Sequence, residues 1–249
     1  MIDEAGWRWP RRHDDQPVTL LAHRGGTGPW RENTLEAFAG ALGLGADGVE
    51  LDVRRTADGR LVVHHDAEIE GTGAIHALPA AELPPWVPGL DEALETCAGA
   101  AVNVEVKNAP VEAGFDPAET VAAEVVRTLA AFSATPGRGP GRVIVSSFWP
   151  ATLAAVHGDD PRLATGLLVH PALDAAEAAE RAVAIGCVAL HPFHAQVTPA
   201  LVDLVHGLGL GVATWTVNEA GEVAAVAAAG VDVVISDRVT DTLTALGRP

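Results

Sequence analysis

Residues 18–53 read VTLLAHRGGTGPWRENTLEAFAGALGLGADGVELDV, in which two short apolar runs flank a helical pattern. The runs Val18–His23 and Gly48–Val53 have the length and the apolar content of buried strands. Residues 34–44 repeat apolar side chains at the spacing of an amphipathic helix. Two strands joined by a helical crossover lie parallel, so the pattern predicts a βαβ unit.

The same alternation recurs along the rest of the chain. Further strands are predicted at Ala101–Lys107, Arg142–Ser147, Ala164–Val169, Cys187–His191, Gly211–Thr216 and Val231–Ser236. Helices are predicted near 34–44, 89–98, 117–132, 150–157, 174–185, 198–207, 219–229 and 239–246. Eight strand–helix units in a chain of 249 residues predict one (β/α)8 barrel, a TIM barrel, over residues 18–249. Residues 1–17 are predicted to be an N-terminal arm.

One segment interrupts the alternation. Leu61–His65 has the composition of a strand, but only the turn 57–59 separates it from the second strand. A parallel crossover needs about a dozen residues or more, so the two strands are predicted to form an antiparallel hairpin. We expect the turn midway between Glu50 and His65. His65 would then return to the level of Glu50, at the carboxyl-end mouth where barrel enzymes hold their active sites.

Charged side chains cluster on the second and third barrel strands. Glu50 and Asp52 lie on one strand, and Glu105 and Lys107 lie on the next. The members of each pair are two residues apart, so both face the inside of the barrel. Burying three carboxylates is unfavourable without a cation, and their oxygens suit Mg²⁺ or Ca²⁺. The sequence therefore predicts one divalent-cation site; the alternative is a salt-bridge cluster with Arg24 and Lys107.

Two histidines are expected to flank this site. His23 ends the first strand and His65 ends the hairpin. Two imidazoles beside a phosphate ester suit general acid and base catalysis. His64 should point away from the mouth, because neighbouring side chains of a strand alternate. Arg24 and Lys107 are expected to hold the phosphate oxygens.

The composition restricts the partners. With 33 acidic and 16 basic residues, the net charge is −17, opposite to the balance of nucleic-acid-binding proteins. An anionic lipid surface would repel the chain, and no stretch approaches the roughly 20 apolar residues of a membrane span. Cys97 and Cys187 form no disulfide framework, and no signal peptide is visible. We expect a cytoplasmic protein that takes a small-molecule substrate, without nucleic acid or stable membrane insertion, and leave its oligomeric state open.

These motifs resemble those of the glycerophosphodiester phosphodiesterase family. The matching runs are His23-Arg24-Gly25, Glu32-Asn33-Thr34-Leu35-Glu36-Ala37-Phe38, Gly45-Ala46-Asp47, Glu50-Leu51-Asp52-Val53, Thr56-Ala57-Asp58-Gly59, His65-Asp66, Asn103-Val104-Glu105-Val106-Lys107, Ser146-Ser147-Phe148, Trp215-Thr216-Val217-Asn218, Gly230-Val231-Asp232 and Ser236-Asp237-Arg238. They cover nearly all of residues 18–240. The resemblance implies site residues with four roles: metal ligands Glu50, Asp52 and Glu105; catalytic His23 and His65; phosphate contacts Arg24 and Lys107; and, near the substrate, Glu32 and Trp215.

The resemblance implies metal-dependent hydrolysis of a glycerophosphodiester to glycerol 3-phosphate and an alcohol, a reaction of lipid and glycerol metabolism. Two alternatives stay open: a phospholipase D-like or cyclising activity on lysophospholipids, and a catalytically silent barrel that binds a phosphate metabolite.

The chain departs from the family pattern at three places. Arg31 stands directly before Glu32, where the family commonly has proline. The segment Ala67–Gly89 is shorter than the usual insertion and rich in proline, which predicts a stiff loop. The sixth strand ends in His191, for which substrate contact and simple packing are both left open.

Overall fold

The computed structural model describes residues 17–134 and 143–248. Its strands are β1 (Thr19–Ala22), β2 (Gly48–Arg55), β3 (Leu61–Val63), β4 (Glu68–Ile69), β5 (Gly73–Ala74), β6 (Ala101–Val106), β7 (Val143–Ser147), β8 (Ala164–Val169), β9 (Ala189–Pro192), β10 (Gly211–Thr214) and β11 (Val233–Ser236). Its α-helices are α1 (Leu35–Gly43), α2 (Leu90–Thr96), α3 (Thr120–Ser133), α4 (Pro150–Asp159), α5 (Ala175–Ile185), α6 (Pro199–Gly207), α7 (Ala220–Ala228) and α8 (Val239–Ala245).

Eight parallel strands close into a barrel in the order β1, β2, β6, β7, β8, β9, β10, β11 and back to β1. Closure runs through β1, where Leu21 is aligned with Gly48 of β2 and with Ile235 of β11. A Cβ atom at Gly48 would collide with the carbonyl of Ala101 in β6, so glycine allows these two strands to approach. The predicted (β/α)8 barrel is confirmed.

Small aliphatic side chains fill the core. Inside the barrel, side chains from six strands pack together; Leu21, Ile144, Ala189, Ala213 and Ile235 are among them. Two larger apolar clusters lie between the strands and the surrounding helices. Such close packing holds the strand ends, and the polar side chains that they carry, in fixed relative positions.

The strands β2 and β3 form the predicted antiparallel hairpin. Val53 pairs with Val63, which centres the turn on Asp58. The prediction placed His65 opposite Glu50, so its register was wrong by one residue. The physical reason lies in the turn, where the Thr56 amide donates to the carbonyl oxygen of Arg60 at 2.9 Å and so closes a loop of three residues, 57–59, centred on Asp58.

The segment Ala67–Gly89 is a folded strap rather than the plain loop that its prolines predicted. It contains the β4–β5 hairpin and two single-turn 3-10 helices. Ile69 and Ile75 pack with other apolar side chains of the strap into a small core. The Arg31 guanidinium lies 3.9 Å from the centre of the Trp86 ring. This contact ties the loop after β1 to the strap.

The predicted element boundaries differ from the structure by at most three residues, the largest difference being the start of α3 at Thr120 instead of 117. Arg142, the predicted first residue of the fourth barrel strand, and residues 1–16 of the predicted arm lie outside the described residues. Within the described part of the chain, no helix has the length and apolar character needed to cross a membrane.

Candidate active site

Three acidic side chains meet at one end of the barrel. Glu50 and Asp52 lie on β2, and the strand register aligns Asp52 with Glu105 of β6. The three residues are 2%, 1% and 8% exposed, respectively. One carboxylate oxygen from each lies within 4.8 Å of the other two. The structure therefore brings together the three residues that the sequence proposed as metal ligands.

Two basic side chains lie against these carboxylates. Lys107 Nζ is 3.0 Å from Asp52 Oδ1 and 2.5 Å from Glu105 Oε1. Arg24 Nε is 3.4 Å from Asp52 Oδ2, and the Arg24 main-chain amide donates to Glu50 Oε2 at 3.0 Å. The other oxygen, Glu50 Oε1, is buried without a hydrogen-bond partner among the described residues. The salt-bridge alternative leaves this oxygen unsatisfied.

Burial and the neighbouring charges give the three acids different pKa values. Burial and the neighbouring charge of Asp52 raise the pKa of Glu50 to about 8. Burial acts in the same direction at Asp52, but the charges of Lys107 and Arg24 outweigh it and lower the pKa of Asp52 to about 2. Burial raises the pKa of Glu105, against the attraction of Lys107. A divalent cation would relieve this repulsion and bind Glu50 Oε1, so the donor set fits such an ion.

His23 follows β1 and lies beside the carboxylates. Its Nε2 is 3.9 Å from Glu50 Oε2, and its Nδ1 is 2.7 Å from Asp237 Oδ1. Asp237 Oδ2 accepts a hydrogen bond of 2.7 Å from Asn218 Nδ2. Burial alone would lower the pKa of His23, but the hydrogen bond with Asp237 and the charge of Glu50 raise it above its usual value. The Asn218–Asp237 pair holds the ring with Nε2 towards the carboxylates.

His65 follows β3 and is close enough to the carboxylates for its charge to act on Asp52 and Glu105. Its Nδ1 lies 2.7 Å from Asp66 Oδ1. The ring of His64 instead lies against a tryptophan of the strap, with 5.8 Å between the ring centroids. Of the two neighbouring histidines, His65 is therefore the one directed towards the acidic cluster.

The loop between β1 and α1 supports the cluster. Arg24 adopts a left-handed conformation with φ of 53°, and its Nη1 donates to Glu32 Oε1 at 3.0 Å. Glu32 therefore lies beside Arg24, at a half-exposed position. Asn33, also left-handed with φ of 56°, donates from Nδ2 to Asp52 Oδ2 at 2.8 Å. Two strained residues in one loop are typical of a functional site.

Aromatic side chains stand at the ends of β7, β9 and β10. Trp215 packs edge to face with Phe148 and Phe193, at centroid distances of 5.4 and 5.5 Å. Its indole N–H donates to the carbonyl oxygen of His191 at 2.8 Å. The His191 side chain is fully buried, and burial lowers its pKa to about 3. His191 is therefore an interior residue of β9, at the strand end beside Trp215.

The sequence analysis missed three polar residues of this site: Asn33, Asn218 and Asp237. Each lies within a run that resembles the family, and Asp237 directly follows a barrel strand, which was an available signal. What spacing could not reveal is the pairing, because His23 and Asp237 are 214 positions apart. Their contact depends on closure of the barrel between β1 and β11.

Comparison with known proteins identifies the family to which this site belongs. The model of the glycerophosphoryl diester phosphodiesterase family matches residues 23–241. The chain belongs to this family. This family member is 30% identical over 238 residues to a glycerophosphodiester phosphodiesterase of Caldanaerobacter subterraneus subsp. tengcongensis, a match that covers 88% of this chain and 93% of the relative.

Solved structures of phosphodiesterases share the fold. A glycerophosphodiester phosphodiesterase from Thermotoga maritima aligns with a TM-score of 0.74 and 25% identity, over 92% of this family member and 98% of that chain. An Oleispira antarctica phosphodiesterase, in complex with the product sn-glycerol-3-phosphate, aligns with a TM-score of 0.78 and 26% identity, over 93% and 97% of the two chains.

Proposed function

We propose that this chain hydrolyses glycerophosphodiesters to sn-glycerol 3-phosphate and an alcohol, with one divalent cation. The observation that carries the proposal is the meeting of three buried carboxylates with a histidine whose free ring nitrogen faces them. The product bound by the Oleispira antarctica relative supports the same substrate class. We assign the reaction to a single catalytic domain at residues 18–249, preceded by an arm at 1–17.

Glu50, Asp52 and Glu105 would hold the cation. Their hard oxygen donors favour Mg²⁺ or Ca²⁺ over softer metals. When bound, such an ion polarises the phosphate and lowers the pKa of an attacking hydroxyl group. Binding, orientation and proton transfer remain the work of the protein's own side chains.

Arg24 and Lys107 are proposed to bind the non-bridging phosphate oxygens. Both are buried or half-buried cations that already lie beside Asp52, so they are oriented before substrate arrives. Charge-assisted hydrogen bonds of this kind are shorter and stronger than neutral ones. The half-buried face of Trp215 is proposed to contact the carbon skeleton of the substrate, opposite the polar groups.

The two histidines are proposed to move the protons. His65 takes the proton of the attacking hydroxyl as the new P–O bond forms. His23, whose pKa is raised and whose Nδ1 is held by Asp237, donates its Nε2 proton to the oxygen of the leaving alcohol as the P–O ester bond breaks. The attacking hydroxyl belongs either to water or to the substrate's own glycerol. If it belongs to the glycerol, a cyclic phosphate forms first and water then opens it to the final product.

Recognition of the leaving alcohol is proposed to be loose. A cleft of about 330 Å³ opens next to Lys107, lined in part by His76 of the strap and by Phe115. Strong discrimination needs placed polar contacts, and the short strap supplies few. Glycerophosphocholine, glycerophosphoethanolamine and glycerophosphoglycerol should therefore differ by less than about a hundredfold in kcat/KM. A preference of several thousandfold for one of them would contradict this proposal.

The decisive experiment is an activity screen of the purified chain with these three diesters, in EDTA and with Mg²⁺, Ca²⁺ or Mn²⁺. We expect sn-glycerol 3-phosphate to accumulate with a metal and not in EDTA. Lysophosphatidic acid released from a lysophospholipid, with no turnover of the small diesters, would favour the phospholipase D-like alternative. Tight binding of glycerol phosphate with no turnover of any substrate would favour the silent barrel.

A further inference from the structure

We infer that Arg54, held by Glu112, positions the main chain of His65 for the reaction. The inference rests on the proposed catalytic role of His65. Arg54 lies two residues after Asp52 on β2, so both side chains leave the same side of the strand. β2 runs past Val53, its last residue paired with β6. Arg54 lies on this extension and pairs with Val62 of β3.

The contacts of Arg54 are directed at one carbonyl group. Its Nε and Nη2 both donate to the carbonyl oxygen of His65, at 2.8 and 2.5 Å. Nη2 also donates to Glu112 Oε2 at 2.8 Å. The Arg54 side chain is only 7% exposed. A buried guanidinium that donates two N–H groups to one carbonyl oxygen fixes both the direction of the carbonyl group and its distance from the arginine. A lysine ammonium lacks this planar pair of donors and cannot fix the direction.

His65 needs such a support because the strand pairing ends before it. The last paired residue of β3 is Val63, and the amide of His64 makes the final main-chain contact with β2. The ring of His65 is held by Asp66, whose side chain is 74% exposed. Exposed ion pairs contribute little and hold their partners weakly. The Arg54 contact is therefore the buried anchor of His65.

Glu112 extends this support to a second loop. It lies in residues 107–119, between β6 and α3, and its amide donates to the carbonyl of Ala109 at 2.8 Å. In the same loop, Asn108 is buried and donates to Glu119 Oε2 at 2.8 Å. A loop braced in this way gives Glu112 a fixed position, and Arg54 transmits that position to His65.

Kinetics of matched variants test the inference. Arg54→Gln and Arg54→Lys should lower kcat for glycerophosphocholine by roughly 10- to 100-fold with KM within about threefold, the effect of a small misplacement of a catalytic group. Glu112→Gln, at a half-exposed position, should lower kcat by roughly three- to tenfold, since an amide still accepts the hydrogen bond. Arg60→Gln is the control, because Arg60 lies in the same hairpin, pairs with Asp91 at 3.8 Å and is not among the residues that line the cleft next to Lys107.

A double-mutant cycle separates positioning from a general structural role. If Arg54 acts through His65, Arg54→Gln should change kcat by less than about twofold when His65 is already alanine. If Arg54→Gln lowers kcat by the same factor in the presence and in the absence of the His65 imidazole, the inference is overturned. Circular dichroism and thermal unfolding identify any variant that fails to fold. If Arg54→Gln does not fold, the same cycle is measured with Glu112→Gln.

NMR gives a readout that does not depend on turnover. The ring C–H signal of His65, assigned by its loss in His65→Ala, should shift in Arg54→Gln and in Glu112→Gln but not in Arg60→Gln. An unmoved His65 signal in folded variants would overturn the inference. A moved signal in a protein that hydrolyses none of the diesters would uphold the positioning and refute only the proposed function.

Discussion

Binding of a divalent cation should release nearly one proton from Glu50 at pH 7. Burial and the charge of Asp52 raise the pKa of Glu50 to about 8. With that pKa, Glu50 is protonated in about 0.9 of the molecules at pH 7 and in about 0.1 at pH 9. A carboxylate must lose its proton to bind a metal, so the release should fall from about 0.9 to about 0.1 proton per ion over this range. Below about pH 7 the proton on Glu50 alone should make the affinity rise about tenfold per pH unit.

Isothermal titration calorimetry in buffers of different ionisation enthalpy measures this release. His23 lies 3.9 Å from Glu50 and has a raised pKa, so a bound cation would expel part of its proton as well. His23→Ala removes that contribution and leaves the one from Glu50. If His23→Ala binds Mg²⁺ or Mn²⁺ at pH 7 with release of fewer than about 0.3 protons, Glu50 is already ionised and the argument from burial is wrong.

Single substitutions test the other groups of the site. His23→Ala and His65→Ala should each lower turnover by roughly 10²-fold or more, the usual scale of acid–base catalysis. His64→Ala should change turnover little, and a damaging His64→Ala would show that the wrong histidine was assigned. Lys107→Ala should lower kcat/KM by roughly tenfold or more through a lost phosphate contact, whereas wild-type kinetics would place it outside the site. Asp237→Asn removes a charge that raises the pKa of His23, so the alkaline limb of the kcat–pH profile should move to lower pH; an unmoved limb would contradict the pairing.

Local signals in the sequence were sufficient for the barrel. Apolar runs such as Ala164–Val169 have the length of buried strands, and the structure places a strand at those same residues. Alternation within strands also placed Glu50 with Asp52 on the inward side of β2. These features depend on the side-chain periodicity of a strand, a property of neighbouring residues that the sequence states directly.

Contacts between distant segments were decided only by the tertiary structure. The partner of His23 is Asp237, which closure of the barrel brings beside it from 214 positions away. The anchor of His65 is Arg54, whose role depends on a hairpin register that the sequence analysis placed one residue away. The unequal proton affinities of Glu50 and Asp52 have the same origin. Both carboxylates are buried on one strand, but only the folded barrel brings Lys107 and Arg24 against Asp52 and leaves one oxygen of Glu50 without a partner among the described residues.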